Sequence, residues 1–290
     1  MTDEMLNPPL SRLKSNRRGA SFRRHGLLAI GGFLVALVFI AALLAPVLAP
    51  YSPYDLDVPS MLQAPSAAHW LGTDELGRDV LSRTIYAAQI SVQVALTAVC
   101  VGLVGGTLIG VVAAYFGELV DALLMRLMEL LFSFPAILLA IILMASLGTS
   151  ILNAMIAIGI IFIPGFARLA RAATRDVLRQ QYVEAARAIG MSDFRILARE
   201  ILPNVAAPLL VEAAVAFAYA VLLESALSFL GLGAQPPYAS WGNMLNTGRG
   251  FLAQAPWLGI VPGMALFMSV LGFNLVGDGL RDLLDPHLRD

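Results

Sequence analysis

Residues 27–49 read LLAIGGFLVALVFIAALLAPVLA, a run of 23 residues without a charged side chain. At about 1.5 Å of rise per residue, a helix of this length covers the roughly 30 Å hydrocarbon core of a bilayer with some tilt. The competing interpretation is a secretory signal peptide, because RRHG precedes the run and APVLAP resembles a cleavage site. The apolar part of a signal peptide is only about 7–15 residues long, which favours a retained transmembrane helix.

The rest of the chain has the same apolar character. Of its 290 residues, 58% are hydrophobic and 13% are charged, against about 25% charged in soluble domains.

The formal net charge of -1 argues against a nucleic-acid partner. Cys100 is the single cysteine and lies in an apolar run, which indicates an inert thiol. His25, His69 and His287 lack metal-site spacing, so no metal site is expected. Lys14 follows no glycine, which excludes a phosphate-binding loop ending in Gly-Lys-Ser/Thr.

Five further apolar runs follow the first. The second contains Gly102, Gly106 and Gly110 at four-residue spacing, which lines one helix face with small residues that a neighbouring helix can approach closely. The segment SLGTSILN, 146–153, separates the third and fourth runs as a tight hairpin. The sequence therefore predicts an all-α, polytopic membrane protein with six transmembrane helices. The expected spans are about 27–49, 90–116, 128–146, 151–167, 207–230 and 257–277.

The basic residues predict the orientation of these spans. Cytoplasmic loops carry an excess of Lys and Arg. With the N-terminus inside, 16 of the 19 basic residues are cytoplasmic, and three (Arg78, Arg83 and Arg249) are outside. The N-terminal segment 1–26, the loop 168–203 and the C-terminal tail 278–290 are thus expected in the cytoplasm.

Three glutamates lie in or beside the apolar runs, where a charge is costly unless it faces protein or lies near a span end. Glu212 is expected near the inner end of the fifth span and Glu224 near its outer end. Glu129 lies one helical turn from Arg126, which favours an ion pair supporting the bundle over a proton relay.

The loop 168–203 holds seven of the nineteen basic residues. Its first four arginines recur every three or four residues, which predicts an amphipathic helix. Helical residues continue to Ile189, Gly190 is the expected stop, and Ser192 or Asp193 can cap a second helix. Such a loop can lie on anionic lipid headgroups. The alanine pair beside Glu184 and the glycine turn instead favour docking against another protein.

Several stretches resemble one family. EAARAIG at 184–190, followed by ILP at 201–203, resembles the EAA motif of binding-protein-dependent ABC importer permeases. Four more stretches are similar to the second permease subunit of the dipeptide, oligopeptide and nickel importers: HWLGTDELGRDVLSR (69–83), LLFSFPAILLA (130–140), LSFLGLGAQPPYASWGNML (227–245) and NLVGDGLRDLLDPHLR (274–289). The sequence departs from the family pattern at Glu200, Ala87 and Gln89.

The resemblance implies a type I ABC importer permease fold, in which the loop 168–203 contains coupling helices that dock on a separate ATPase. Glu184 and Arg187 would make charge-assisted contacts with that ATPase, although a pairing of Glu184 with Arg187 or Arg199 inside the loop is an alternative. The implied coupling residues are Glu184, Ala185, Ala186, Arg187, Gly190, Asp193, Leu202 and Pro203.

The other motifs imply residues for family-specific structure and helix packing. These are Gly72, Asp74, Gly77, Arg78, Asp79, Glu224, Gly231, Gly233, Asn274, Gly277, Asp278 and Asp285. The outer segments 50–88 and 231–256 are candidates for contact with the binding protein. The alternative is that GTDELGRD forms only a structured turn and PPYASW an interfacial aromatic belt.

The expected function is that of a permease subunit in an ATP-driven importer of small peptides, in the cytoplasmic (inner) membrane. The implied partners are a homologous permease, two ABC ATPases, an extracytoplasmic solute-binding protein and membrane lipid. The chain is not expected to be an enzyme or to bind a cofactor, since ATP and Mg would sit on the ATPases. Nickel, glutathione or an opine-like solute are alternative substrates. An ion-coupled secondary transporter is a further alternative, but it needs an ion-coupling residue within its spans.

Overall fold

The computed structural model describes residues 10–284, with side chains described for residues 26–283. All the regular secondary structure in this part of the chain is helical. Its helices are α1 (Leu10–Leu43), α2 (Ala45–Leu48), α3 (Val80–Phe116), α4 (Glu118–Phe132), α5 (Ala136–Leu147), α6 (Ile151–Leu178), α7 (Gln181–Ala188), α8 (Asp193–Ile196), α9 (Leu202–Phe229), α10 (Trp241–Gly248) and α11 (Trp257–Leu284). A π-helical turn, Leu197–Ile201, joins α8 to α9.

Helices α3 and α6 form the most extensive contact of the bundle, and glycines let them approach closely. A Cβ atom added to Gly102, Gly106 or Gly110 would lie 2.5, 2.4 or 2.2 Å from atoms of α6. Such distances are shorter than real Cβ contacts, so each of these positions accepts glycine alone at the present helix spacing. The four-residue spacing of the glycines thus becomes a continuous seam along α3.

The remaining long helices pack around this pair. Helix α9 contacts α3, α6 and α11, while α1 lies along α11 in the antiparallel direction. Close approach again uses small residues, since an added Cβ on Gly31 would lie 2.6 Å from Leu275 Cβ. The helix pair α7–α8 lies at the end of the bundle where α3 and α6 finish and α9 starts. We call this the hairpin end.

The third expected span, 128–146, is not one straight helix. The chain instead forms α4 and α5, which meet at a bend of 91°. Pro135 lacks an N–H group for a helical hydrogen bond, and it disfavours helical backbone at the residue before it. The Ser133 hydroxyl donates to the carbonyl of Leu130 at 2.7 Å and helps to end α4. The bend places Phe134 at a corner rather than inside a helix.

Five stretches of the described chain are long and apolar enough to cross a bilayer. They lie in α1, in α3, in α6, in the run Asp193–Phe229 and in α11; α4 and α5 taken together would be a sixth, broken span. Several helices extend beyond the expected spans, α3 and α6 among them. Asp79 caps α3, which begins at residue 80 rather than 90. Helix α6 continues to residue 178, so the first part of the expected loop 168–203 extends a long helix.

Candidate functional site

The hairpin, residues 179–201, consists of α7, a short turn, α8 and the π-helical turn that leads into α9. The N–H of Met191 donates to the carbonyl of Ala186 at 3.0 Å, and the N–H of Gly190 donates to that of Arg187 at 2.9 Å. This pair of bonds is the Schellman motif that ends many helices. Gly190 has φ +77°, a left-handed conformation that costs glycine no steric penalty. The helix stop expected at Gly190 is therefore present.

Buried side chains attach the hairpin to the bundle. Val183, Ile196 and Ile201 are fully buried. The hydroxyl of Tyr115, near the end of α3, donates to the Asp193 carboxylate at 2.5 Å. The Arg187 guanidinium lies 5.6 Å from the centre of the same Tyr115 ring, within cation–π range. The hairpin thus contacts α3 directly, and the π-helical turn joins it to α9.

The outward face of the hairpin exposes two large apolar side chains. Ile189 is 78% exposed and Phe194 is 81% exposed, on either side of the Gly190 turn. Glu184 and Ala185 are exposed close by. Two large apolar side chains exposed at a loop tip are typical of a surface that another protein covers.

The other predicted hairpin residues divide between the two faces. Ala186 is buried in the bundle, so Ala185 alone of the alanine pair faces outward. Leu202 and Pro203 are exposed at the start of α9. Within the described residues, Glu184 forms neither of the ion pairs considered for it, with Arg187 or with Arg199. The exposure of Phe194 and the contact of Tyr115 with Asp193 became evident only in the structure.

At the opposite end of the bundle, residues 69–83 form a compact turn built on Asp74. One Asp74 oxygen accepts from the N–H groups of Leu76 and Arg78, both at 2.9 Å. The other contacts Nε of Arg78 at 2.7 Å and Nε of Arg83 at 3.3 Å. Burial, and then the neighbouring Asp74 charge, raise the pKa of the Glu75 carboxyl. The charged side chains of this motif thus point into the turn, as expected if GTDELGRD forms only a structured turn.

Replacing Asp74 with alanine should destabilise the chain strongly. Arg83 is 4% exposed, and the change removes its carboxylate partner together with two backbone hydrogen bonds. Breaking a buried ion pair from one side costs about 3–5 kcal/mol. The measurement is the unfolding temperature of purified protein in a mild detergent. Glu75→Ala is the control, because Glu75 loses a single contact with Arg78. Equal unfolding temperatures for the two variants would contradict this reading of the turn.

The remaining residues of the turn fix the start of α3. Asp79 accepts from both the N–H and the hydroxyl of Ser82 at 2.8 Å, and its other oxygen lies 3.0 Å from His69 Nδ1. A Cβ on Gly77 would lie 1.8 Å from the carbonyl oxygen of Asp57, and Gly72 is also buried. Trp257 Nε1 donates to the carbonyl of Thr73 at 3.1 Å, which ties the turn to α11.

Glu224 of α9 is a buried carboxylate held by serine hydroxyls. The side chain is 1% exposed. Its oxygens accept from Ser228 at 2.7 Å, from Ser91 of α3 at 3.2 Å and from Ser225 at 3.4 Å. The Ser228 hydroxyl also accepts from the N–H of Ala234 at 3.0 Å. Glu224 therefore joins α9 to α3 and to the loop that follows α9.

Two glycines shape that loop. Gly231 ends α9 with φ +77°, in the same hydrogen-bond pattern as Gly190. A Cβ on Gly233 would lie 2.2 Å from the Ser228 hydroxyl, so a side chain there would displace the serine that contacts Glu224.

Replacing Glu224 with leucine should lower the unfolding temperature, whereas replacing it with glutamine should lower that temperature much less. An amide can accept and donate to rotatable hydroxyls, but leucine leaves them without a partner. Each buried polar group left unsatisfied costs about 1–3 kcal/mol. Thermal unfolding of the purified variants, followed by size-exclusion chromatography, measures the difference. A leucine variant as stable as the glutamine variant would show that the serine contacts do not support the bundle.

The C-terminal motif residues lie on α11. Gly277 contacts α9, since an added Cβ would lie 2.9 Å from Val215 Cγ2. The Asn274 side chain donates to the carbonyl of Val270 at 3.0 Å within its own helix, and Asp278 is exposed. Asp285 lies outside the described residues.

An ion-pair cluster that the sequence analysis did not identify joins α4 to α6. Asp121 is 7% exposed and pairs with both Arg171 and Arg175; the contact with Arg175 is 2.8 Å. The partners are about fifty residues apart in the chain, which explains why local spacing gave no signal. Arg126 and Glu129, the pair that was expected, are 3.9 Å apart and mostly exposed.

Two known families match most of the chain. Residues 106–290 match the family described as "Binding-protein-dependent transport system inner membrane component". Residues 12–65 match the N-terminal TM domain of oligopeptide transport permease C. The chain belongs to the binding-protein-dependent transport permeases. The family resemblance inferred from the EAA motif and its companions is thereby confirmed.

Several relatives match the permease over most of their own length. It is 42% identical to the dipeptide transport system permease protein DppC of Alkalihalophilus pseudofirmus, over 100% of this chain and 97% of the relative. It is 42% identical to the di/tripeptide transport system permease protein DppC of Pseudomonas aeruginosa, over 92% and 90%. It is 43% identical to the glutathione transport system permease protein GsiD of Escherichia coli, over 92% and 89%.

Solved structures support the fold. A chain of the MetNI methionine ABC transporter, in an inward-facing conformation, superposes with a TM-score of 0.58 at 16% identity. The match covers 70% of the permease and 97% of that chain. The permease is thus an all-α, multi-pass membrane protein, as its sequence predicted.

Proposed function

We propose that the permease is one of two homologous membrane subunits in an ATP-driven importer of small peptides. The observation that carries the proposal is the hairpin, whose exposed Ile189 and Phe194 form an apolar tip on an element rigidly attached to the bundle. The peptide substrate is favoured by the names of the relatives at 42% identity. Glutathione is the alternative substrate, favoured by the relative at 43% identity.

Separate ATPase subunits would bind ATP and Mg and hydrolyse ATP, and the permease would convert their motion into alternating access. In this mechanism Ile189 and Phe194 enter a groove of the ATPase. Glu184, which has no ion pair among the described residues, lies beside them and is available to the partner. The contact between Tyr115 and Asp193 passes the motion to α3, and the buried Ile201 passes it to α9. Because the helices are packed through glycine seams, they move as rigid levers.

The hairpin end would lie in the cytoplasm, with both chain termini on that side. The excess of arginine at 168–199 supports this orientation. The opposite end would then meet the solute-binding protein. Because Asp74 and Asp79 are buried in their turn, contacts at that end would fall to exposed side chains such as Leu56, Val58 and Trp70.

The proposal is tested by purifying the tagged permease gently from its own membrane and identifying its companions by mass spectrometry. We expect a second permease and one or two ATPases. The complex, reconstituted into liposomes with its binding protein, is expected to accumulate labelled dialanine when ATP is present on the ATPase side. Accumulation that requires a proton or sodium gradient and no ATP would contradict the proposal. Faster accumulation of glutathione than of dialanine would assign the alternative substrate.

A further inference from the structure

A cleft opens between the bend of α4 and α5, the middle of α6 and the first half of α9. Its volume is about 350 Å³. Apolar and aromatic side chains form most of its walls, including Phe132, Phe134, Phe162 and Tyr219. Among the residues that line the cleft, Glu212 is the only one with a charge. Phe132, Phe134 and Tyr219 are each 43–53% exposed, so the cleft is open at the surface of the chain.

Glu212 lies ten residues into α9, about 15 Å along the helix from Leu202. Its side chain is exposed, and within the described residues it has no hydrogen bond or ion pair. A carboxylate that faces lipid within a span is costly, so membrane proteins direct these groups towards water, a ligand or another protein.

A positive charge lies at the border of the same cleft. The guanidinium carbon of Arg168, on α6, is 3.7 Å from the centre of the Phe132 ring. Arg168 is exposed and forms no ion pair within the described part of the chain. The cleft thus has apolar walls and one carboxylate that has no partner among the described residues, and a guanidinium held against an aromatic ring lies at its border. A peptide zwitterion has complementary chemistry, with an ammonium, a carboxylate and side chains of varied polarity.

We propose that Glu212 binds the terminal ammonium of a peptide in transit, with the aromatic walls of the cleft receiving peptide side chains. The proposal rests on the function proposed above and names one residue of its pathway. Helix α9 begins directly after the hairpin, so movement of the hairpin would also move Glu212. The affinity for the ammonium would therefore change as the importer changes state.

The first test measures how much dialanine the assembled importer transports for each ATP it hydrolyses, in liposomes with its binding protein. Glu212→Gln should lower this ratio about tenfold, the loss expected when a hydrogen-bonded charge is removed. Glu212→Asp should recover part of it. Glu129→Gln, which changes an exposed carboxylate outside the cleft, should match the unchanged importer. An unaltered ratio in Glu212→Gln would overturn the proposal. Absence of dialanine transport by the unchanged importer would instead refute the proposed function.

A second test measures the effect of the charge in the cleft directly, and it does not require transport by the Glu212 variant. Val215→Cys is placed in the cleft of a Cys100→Ser permease, which removes the one native thiol. We expect a cationic methanethiosulfonate to react faster than an anionic one of equal size. The difference should disappear in Glu212→Gln, and dialanine should slow the reaction. Equal rates with Glu212 present, or no reaction with either reagent, would show that a partner subunit or lipid occupies the cleft.

Discussion

Replacing Gly110 with leucine is expected to prevent α3 from packing against α6 and to eliminate folded permease from the membrane. Even a Cβ at this position would lie 2.2 Å from the carbonyl oxygen of Ala167 and 2.8 Å from Ala170 Cβ. Neither atom can rotate away, so the helices must separate along their whole seam. Overpacking costs about 1–3 kcal/mol where side chains can adjust, and more is expected against backbone. The measurement is the yield of monodisperse protein in mild detergent and its unfolding temperature.

Gly105→Ala is the matched control in the same helix. An added Cβ there would lie 3.3 Å from Cδ1 of Ile163, the end of a flexible side chain. We expect this variant to be recovered at the normal yield. A Gly110→Leu variant with the unfolding temperature of the unchanged permease would mean that α3 and α6 do not pack through the glycine seam.

The second large effect is expected at the hairpin, where Ile189→Asp combined with Phe194→Asp should abolish uptake without unfolding the permease. Both side chains are about four-fifths exposed, so the new charges remain in water in the isolated chain. In a docked complex the same charges would be buried against the ATPase. Loss of two interface anchors weakens binding by about a hundredfold or more. Recovery of the ATPase with the tagged permease and ATP-dependent uptake are the two measurements.

Two controls separate docking from stability. Ile196→Asp introduces the same charge at a fully buried hairpin position and should unfold the hairpin itself. Leu252→Asp changes an exposed apolar residue at the opposite end and should leave the recovery of the ATPase unchanged. Undiminished ATPase recovery with the double hairpin variant would contradict a docking role for this surface.

The sequence contained enough to predict the class of fold and the short-range features. Uncharged runs indicated helices in lipid, the spacing of Gly102, Gly106 and Gly110 indicated a packed face, and Gly190 indicated a helix stop. Each signal is local, because it depends on hydropathy, helical period or the conformational preference of one residue. The family motifs added an assignment that the comparisons confirm.

Features that depend on distant contacts could not be predicted. Ser91 and Glu224 are 133 residues apart, and Tyr115 and Asp193 are 78 apart, yet each pair is hydrogen bonded. Helical periodicity shows which residues share a face, but it does not show which neighbour that face meets. For this reason the sequence grouped Ala185 with Ala186, whereas packing buries only the second.

The bend at Pro135 illustrates the same limit within one element. The high hydropathy of 128–146 predicts one continuous span, because every residue near the bend is compatible with lipid. The break follows from backbone chemistry at Pro135, and the cleft beside it follows from how α6 and α9 pack against the corner. The exposure of Glu212 on this cleft therefore required the structure.

The central claim is that the hairpin tip docks on an ATPase, and photocrosslinking in the native membrane tests it most directly. A photoreactive phenylalanine analogue replaces Phe194 in one strain and Trp70, at the opposite end of the bundle, in another. The account predicts that position 194 captures an ABC ATPase and that position 70 does not. Capture of lipid alone at position 194, with a functional importer in the same membranes, would contradict the account.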